Sequence, residues 1–289
     1  MIKRLNWSSS KMAEPTFFEA LRWASIFLEQ RQQEDAGRFL LLERQNWTST
    51  QLLLRYREPM PAAIWHQFQA DVQRFAKNEP AQYIVGHAPF YGHEFKVTTA
   101  TLIPRSETEE LVEWALNELP ATPLKILDLG TGSGAIAVSL KLARPQWQVW
   151  ASDISAAALT VAADNAHDLG AAINFRQSDV FTNLAVEKFD AIISNPPYIA
   201  PSERDVMDAS VLAHEPATAL FAAEAGLAIY RRILTDLPQH LTINGQFFGE
   251  FGYHQRPALA KMVAELLPAS QVKFRRDLAG HERMLQIKL

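Results

Sequence analysis

Lys125-Ile126-Leu127-Asp128-Leu129-Gly130-Thr131-Gly132-Ser133-Gly134-Ala135-Ile136-Ala137-Val138-Ser139-Leu140 sets a short apolar run against a glycine-rich turn, and that turn against a helical pattern. Ile126 and Leu127 read as the end of a strand. Glycines let the backbone turn sharply and let a ligand approach the main chain. A helix opening just after the turn offers unpaired N–H groups at its amino end. Strand, glycine loop and helix in that order suit a nucleotide-like ligand at the carboxyl edge of a parallel sheet. Nineteen residues beyond Gly134 stands Asp153, at the end of the next strand. A carboxylate there can accept both hydroxyls of a ribose. The loop alone does not name the ligand. Gly130, Gly132 and Ala135 also satisfy the loose dinucleotide pattern, so a nicotinamide cofactor and a plain structural turn both stay open. Asp128 has two uses, as a cap for the loop or as an acid that meets a positively charged ligand.

Downstream, apolar runs alternate with helical patterns. Val149-Trp150-Ala151 reads as a strand and Ala156 to Asp168 as a helix. Strands follow at Ile173 to Phe175 and Ala191-Ile192-Ile193, then a helix from Leu227 to Leu237, a strand at Phe247-Phe248 and a helix to Leu267. Val272 to Phe274 and Met284 to Ile287 close the pattern as an antiparallel pair turning through Gly280. Strand alternating with helix predicts parallel pairing in an open α/β sheet. Upstream, residues 12–80 read as helix only. Phe17, Leu21, Ala24 and Leu28 recur at helical spacing, as do Ile64, Phe68, Val72 and Phe75. Thr48 can cap a short helix and Pro61 can open the next. The aromatic and β-branched residues around Gly86 and Gly92 predict a β-hairpin linker over 81–106. The expected organisation is an extension over 1–11, a helical domain over 12–80, the linker over 81–106 and the α/β domain over 107–289.

The 289 residues are 48% hydrophobic and 21% charged, the balance of a globular chain of about two domains. Twenty-eight basic residues stand against thirty-two acidic, a net charge of -4. A protein that lives on phosphate contacts usually carries a basic excess, so no stable nucleic-acid partner is expected. Residues 1–80 carry 11 basic and 9 acidic residues, which leaves the remainder the more acidic part. The chain has no cysteine, which excludes a thiol nucleophile and a cysteine-held metal. His87, His93, His167 and His240 have no partners at metal-ligand spacing, so no metal is expected. No apolar stretch is long enough for a membrane helix, and no signal peptide is apparent; a cytoplasmic monomer is expected.

Asn195-Pro196-Pro197-Tyr198 follows the fourth strand of the α/β pattern. The Asn195 side chain can turn its oxygen toward a donor, and Pro196 keeps its carbonyl as an acceptor. Two acceptors side by side match the two N–H bonds of a planar amino or amide group. Tyr198 offers a ring face to that plane.

Asp128 to Gly134 together with Asn195 to Tyr198 resembles the S-adenosylmethionine-dependent amino methyltransferases. Gln82-Tyr83-Ile84-Val85-Gly86, Phe90-Tyr91-Gly92 and Ile103-Pro104-Arg105-Ser106-Glu107-Thr108-Glu109 narrow this, because they resemble the linker of the PrmC/HemK family. His214-Glu215-Pro216, Ala219-Leu220-Phe221, Tyr230-Arg231 and Asp277-Leu278-Ala279-Gly280 are similar to that family too. The resemblance covers about 12 to 289. It implies a seven-stranded, Rossmann-like class I methyltransferase sheet with an amino-terminal helical bundle that docks the substrate. The implied reaction methylates the side-chain nitrogen of the glutamine in the Gly-Gly-Gln loop of class-1 peptide chain release factors, with S-adenosyl-L-methionine as donor. Carried over by match, Gly130, Thr131, Gly132, Ser133 and Gly134 would hold the methionine part of the cofactor and Asp153 its ribose. Asp179 and Val180 would lie by the adenine. Asn195, Pro196, Pro197 and Tyr198 would hold the glutamine amide, with Asn195, Pro196 and Tyr198 catalytic and Asn195 beside the cofactor as well. Ser106 stands where the family usually has proline, Val180 where it often has an aromatic, and Ala222 to Gly226 where it has a glycine-rich stretch ending in Asp-Gly; Phe248-Gly249-Glu250-Phe251-Gly252 departs slightly as well. An adenine-N6 methyltransferase acting on DNA or RNA is the main alternative, since an exocyclic amine presents the same two N–H bonds. A nicotinamide oxidoreductase would leave Asn195 to Tyr198 without a task, and a binding module without catalysis would have no need of Asn195.

Overall fold

The computed structural model describes residues 14–29, 35–184 and 187–289. The extension expected over 1–11 lies outside them. The chain divides into two compact units, one ending at Val85 and one running from Gly86 to Leu289.

The first unit is helical. Its elements are α1 (Phe17–Glu29), α2 (Ala36–Gln45), α3 (Ser49–Arg55), α4 (Ala62–Phe75) and α5 (Ala81–Val85). Phe17, Ala20, Ala24 and Leu28 form the buried face of α1, three to four residues apart. They meet Leu40, Leu41, Leu52, Phe68 and Val72 in one core. Thr48 caps α3 through a reciprocal capping box with Gln51. Asp71 is buried inside this core, and the guanidinium of Arg44 grips it through two bonds of 3.0 and 3.1 Å.

α5 departs from expectation. Residues 81–85, read as part of the hairpin linker, form a helical turn in which the Pro80 carbonyl accepts from the amides of Tyr83 and Ile84. Pro80 presets the first turn, and burial of Ile84 in the helical core overrides its β propensity. The hairpin itself is shorter than 81–106 and belongs to the second unit. β1 (His87–Phe90) pairs antiparallel with β2 (His93–Lys96). Tyr91 and Gly92 turn between them with φ of 48° and 77°, the left-handed pair that a two-residue hairpin loop requires.

The rest of the second unit is the expected alternation. It runs α6 (Ser106–Glu118), β3 (Lys125–Leu129), α7 (Ala135–Ala143), β4 (Gln148–Asp153), α8 (Ala156–Asp168), β5 (Ile173–Gln177) and β6 (Phe189–Ser194). Two short helices follow, α9 (Ala209–His214) and α10 (Ala217–Leu220), and then α11 (Ala228–His240), β7 (Leu241–Glu250), α12 (Arg256–Leu266), β8 (Gln271–Arg276) and β9 (Glu282–Lys288). The sheet has the order β5-β4-β3-β6-β7-β9-β8. Strands β3 to β7 pair in parallel, and β9 pairs antiparallel with both β7 and β8. Both faces are covered. One core joins Leu111, Val112, Ile136, Leu140 and Trp147 to the sheet. The other joins Tyr230, Ile233, Leu234, Leu259 and Val263 to it. Sequence order reverses between β3 and β6, and a crevice at the carboxyl ends of such strands is where doubly wound sheets take ligands.

Candidate functional site

The loop after β3 is built on left-handed glycines, with φ of 79° at Gly130, 56° at Gly132 and 83° at Gly134. A Cβ on Gly130 or Gly132 would meet nothing within 4 Å, whereas one on Gly134 would lie 3.1 Å from Cβ of Ala162. Gly134 therefore serves the packing of α7 on α8 and does not line the crevice. The amides of Gly130 and Thr131 both donate to the Ser152 carbonyl at 2.8 Å, which ties the loop to β4.

Asp128 is fully buried. Its Oδ2 accepts from the Thr131 hydroxyl at 2.6 Å and the Ala137 amide at 3.1 Å. Burial outweighs both bonds and pushes the carboxyl up to about 7. Of its two expected uses, the geometry favours the cap: Asp128 joins the loop to α7 and is absent from the cavity wall.

Asp153, at the end of β4, is on that wall. Its two carboxylate oxygens accept one amide each, from Ser155 and Gly132, both at 2.9 Å. Burial holds its carboxyl above the usual range against the pull of those amides. One lone-pair direction on each oxygen is left for a diol.

The cavity at the strand ends measures about 370 Å³, the size of small-molecule sites generally. Gly130, Thr131, Gly132, Ser133, Asp153, Asp179, Val180, Asn195, Pro196 and Pro197 all line it. Asp179 is also ion-paired with Arg232 at 2.9 Å. Val180 has φ of 51°, a strained setting for a β-branched residue. The Ser178 hydroxyl holds it there by donating to the Val180 carbonyl at 2.7 Å. Open space above Gly130 and Gly132, a carboxylate for a diol and an apolar patch at Val180 fit a nucleoside that carries an amino acid.

A second, smaller cavity of about 200 Å³ shares Leu102, Arg105, Asn195 and Ala219 with the first. Tyr198 lines this one instead, together with Ile199, Met207 and Val211. Asn195 thus stands between two spaces. Its Nδ2 donates to Oγ1 of Thr108, on α6, at 3.0 Å. The Thr108 hydroxyl donates to Oε2 of Glu250, at the end of β7, at 2.7 Å. The Tyr198 hydroxyl donates to Oε1 of the same carboxylate at 3.0 Å. Burial raises both the Glu250 carboxyl and the Tyr198 hydroxyl above their ordinary ranges, and the charge of Glu250 adds to the shift of Tyr198. Arg105 pairs with the buried Glu215 at 2.6 Å, so that the wall shared by the two cavities is ion-paired from behind.

Thr108, Glu250 and the Arg105–Glu215 pair are site residues that the sequence reading left without a role. Arg105, Thr108 and Glu215 lie inside stretches that carried the family resemblance, and that was their only signal. His240 stacks on Phe181 at 4.2 Å, and His87 bonds Glu94 across the hairpin at 2.9 Å. Among the described residues, no group of three or more His, Asp or Glu is placed to hold a metal ion.

Residues 19–86 match the PrmC N-terminal domain and residues 111–224 the methyltransferase small domain. A release factor glutamine methyltransferase of Enterococcus faecalis is 47% identical over 269 residues, 93% of this chain and 97% of that protein. The chain belongs to the release factor glutamine methyltransferase family. The Lactococcus lactis protein of the same name is 50% identical over 216 residues, 75% of this chain and 80% of its own. A methyltransferase from Pyrococcus furiosus superposes with a TM-score of 0.53 at 15% identity, over 75% of this chain and 95% of that one, and shows the shared fold. Within the release factor glutamine methyltransferase family pattern, two of the departures can be placed in the fold. Ser106 is the first residue of α6, a position that proline also suits. Glu224 and Ala225 adopt φ of 54° and 53° just before Gly226, where the family's glycines would sit without strain.

Proposed function

We infer that this protein moves a methyl group from S-adenosylmethionine to the side-chain amide nitrogen of the glutamine in the Gly-Gly-Gln loop of class-1 peptide chain release factors, and so modulates translation termination. Family membership supports this reading, and the observation that carries it is Asn195 standing on the wall of two adjoining cavities, with Pro196 and Pro197 on the larger and Tyr198 on the smaller. The larger takes the cofactor. Gly130 to Ser133 lie along its methionine part, Asp153 accepts from its ribose, and Asp179 and Val180 border the adenine. The bound cofactor supplies an electrophilic methyl on a sulfonium. The smaller cavity admits the glutamine side chain, whose amide reaches the larger one past Asn195, beside Pro196 and Pro197. Asn195 Oδ1 and the Pro196 carbonyl accept its two N–H bonds, while Tyr198 and Pro197 confine its plane.

An amide nitrogen is a poor nucleophile, because its lone pair is delocalised. Fixing both N–H bonds aims that nitrogen and lets positive charge develop against two acceptors, so that orientation and electrostatics carry the rate. The extra proton leaves after transfer, and no strong side-chain base is required. The helical unit docks the release factor. Phe18, Phe27, Leu53 and Leu54 are exposed on it, 44 to 76% accessible, an apolar surface suited to a protein partner. Lys3, Arg4, Lys11 and Arg31, four of the basic residues counted in 1–80, lie outside the described residues. On the same reading the protein works in the cytoplasm as a monomer without stably bound nucleic acid.

Radiolabelled methyl transfer, with release factor, duplex DNA and transfer RNA offered in parallel, tests the proposal. Label on release factor alone, lost when its glutamine is replaced, is the expected result. Label on adenine would overturn it.

A further inference from the structure

The bonds behind Asn195 have a direction, and the direction selects which end of its amide meets the substrate. Glu250 is 1% exposed and receives two hydroxyls, one on each carboxylate oxygen. A carboxylate only accepts. The Thr108 hydroxyl has a single hydrogen and spends it on Glu250, so toward Asn195 its oxygen can only accept. Asn195 must then present Nδ2 to Thr108, which leaves Oδ1 as the amide atom open to a ligand. An asparagine turned by 180° would offer N–H groups to a substrate that itself brings N–H groups, and the two would repel. Burial raises the Glu250 carboxyl, and the two hydroxyls together with the charge of Arg283, itself held by Asp277 at 2.9 Å, act in favour of the anion. Glu250 also holds the Tyr198 hydroxyl, so one carboxylate fixes both the asparagine and the tyrosine of the motif.

We propose that Thr108 and Glu250 are positioning residues that lock the Asn195 amide with its oxygen toward the substrate nitrogen and hold Tyr198 in register with it. The proposal rests on the reading of Asn195 as the acceptor for the glutamine amide.

Thr108 is 5% exposed on α6, which gives a test that separates packing from polarity. Thr108→Val keeps the volume and removes the hydroxyl, whereas Thr108→Ser keeps the hydroxyl and removes a methyl. A packing role makes serine the worse replacement, and a polarity role makes valine the worse. We expect Thr108→Val to lose at least ~10-fold in kcat through misorientation alone. Its KM for release factor and its Kd for S-adenosylhomocysteine, measured by calorimetry, should stay within about twofold of wild type: Thr108 lines the larger cavity, but its hydroxyl is engaged by Glu250 and Asn195, and valine keeps its volume. Thr108→Ser should keep most of the turnover. Wild-type kcat in Thr108→Val, a larger loss in serine than in valine, or loss of S-adenosylhomocysteine binding along with turnover would each overturn the proposal. Asn195→Ala, assayed beside them, keeps the two readings apart. If it turns over normally, the role of Asn195 itself is wrong. If it is inactive while Thr108→Val is fully active, only the positioning role fails.

Discussion

Replacing Asn195 with alanine removes an acceptor at the point where the two cavities meet. Methyl transfer to release factor should fall at least ~100-fold, the scale of losing one aligned polar contact at a reacting centre. Binding of S-adenosylhomocysteine should change far less, and a turnover assay run beside calorimetry separates the two. Asp153 gives the opposite pattern. Asp153→Ala should weaken S-adenosylhomocysteine by roughly 1–3 kcal/mol, as for hydrogen bonds to a charged group. Because Asp153 also holds the amides of Gly132 and Ser155, Asp153→Asn is the informative companion. It keeps one acceptor oxygen, enough for one of those two amides, and should bind better than alanine. An unchanged constant in Asp153→Ala would move the ribose contact elsewhere. Both residues could be proposed from the sequence because each sits in or beside a contiguous motif that ends a strand. Thr108 and Glu250 were not, since the bond between them joins residues 142 apart and only the closed sheet brings α6 beside the end of β7.

At the scale of the element, the loop between β3 and α7 carries a measurable signature in Asp128. Its carboxyl sits at about 7 in the fold against an ordinary 3.8. The folded protein therefore binds the proton more tightly than the unfolded chain does. Between those two values stability falls as pH rises, by up to ~1.4 kcal/mol per pH unit, and above about 7 the loss is complete. Asp128→Asn can keep the bonds from Thr131 and Ala137 through its oxygen and has no proton to lose. Its stability relative to wild type, from urea unfolding of the ligand-free protein, should rise from pH 4.5 to pH 7 and then level. A flat difference would mean that Asp128 titrates normally. Elements with strong periodicity were legible to the residue, as with α8 at Ala156–Asp168. α5 was misread because aromatic and β-branched residues over so short a span say little until their burial against the helical core is known.

The division of the whole molecule at Val85 gives a further prediction. A chain starting at Gly86 should bind S-adenosylhomocysteine with near-normal affinity, since every residue lining the larger cavity lies beyond that point. Its methylation of intact release factor should fall steeply through a raised KM, because binding energy spread over a docking surface is what it loses. Full-length rates from the shortened chain would refute the docking role, and loss of ligand binding would mean that the helical unit supports the fold of its neighbour. The two-unit organisation was visible in the shift from all-helical to alternating patterns. The place of β9 was not, because sequence order does not reveal that a strand made after β8 inserts between β8 and β7. That insertion bears on how the protein is made. On the ribosome, β7 emerges with one edge bare and waits through α12, β8 and the turn after it for residues 284–288 to pair with 246–250. Glu250 lies at the end of that waiting edge, paired in register with Met284. A nascent chain can therefore contain every residue of the glycine loop and the Asn-Pro-Pro-Tyr motif and still lack a finished site. The enzyme becomes competent only once β9 has emerged and paired with β7.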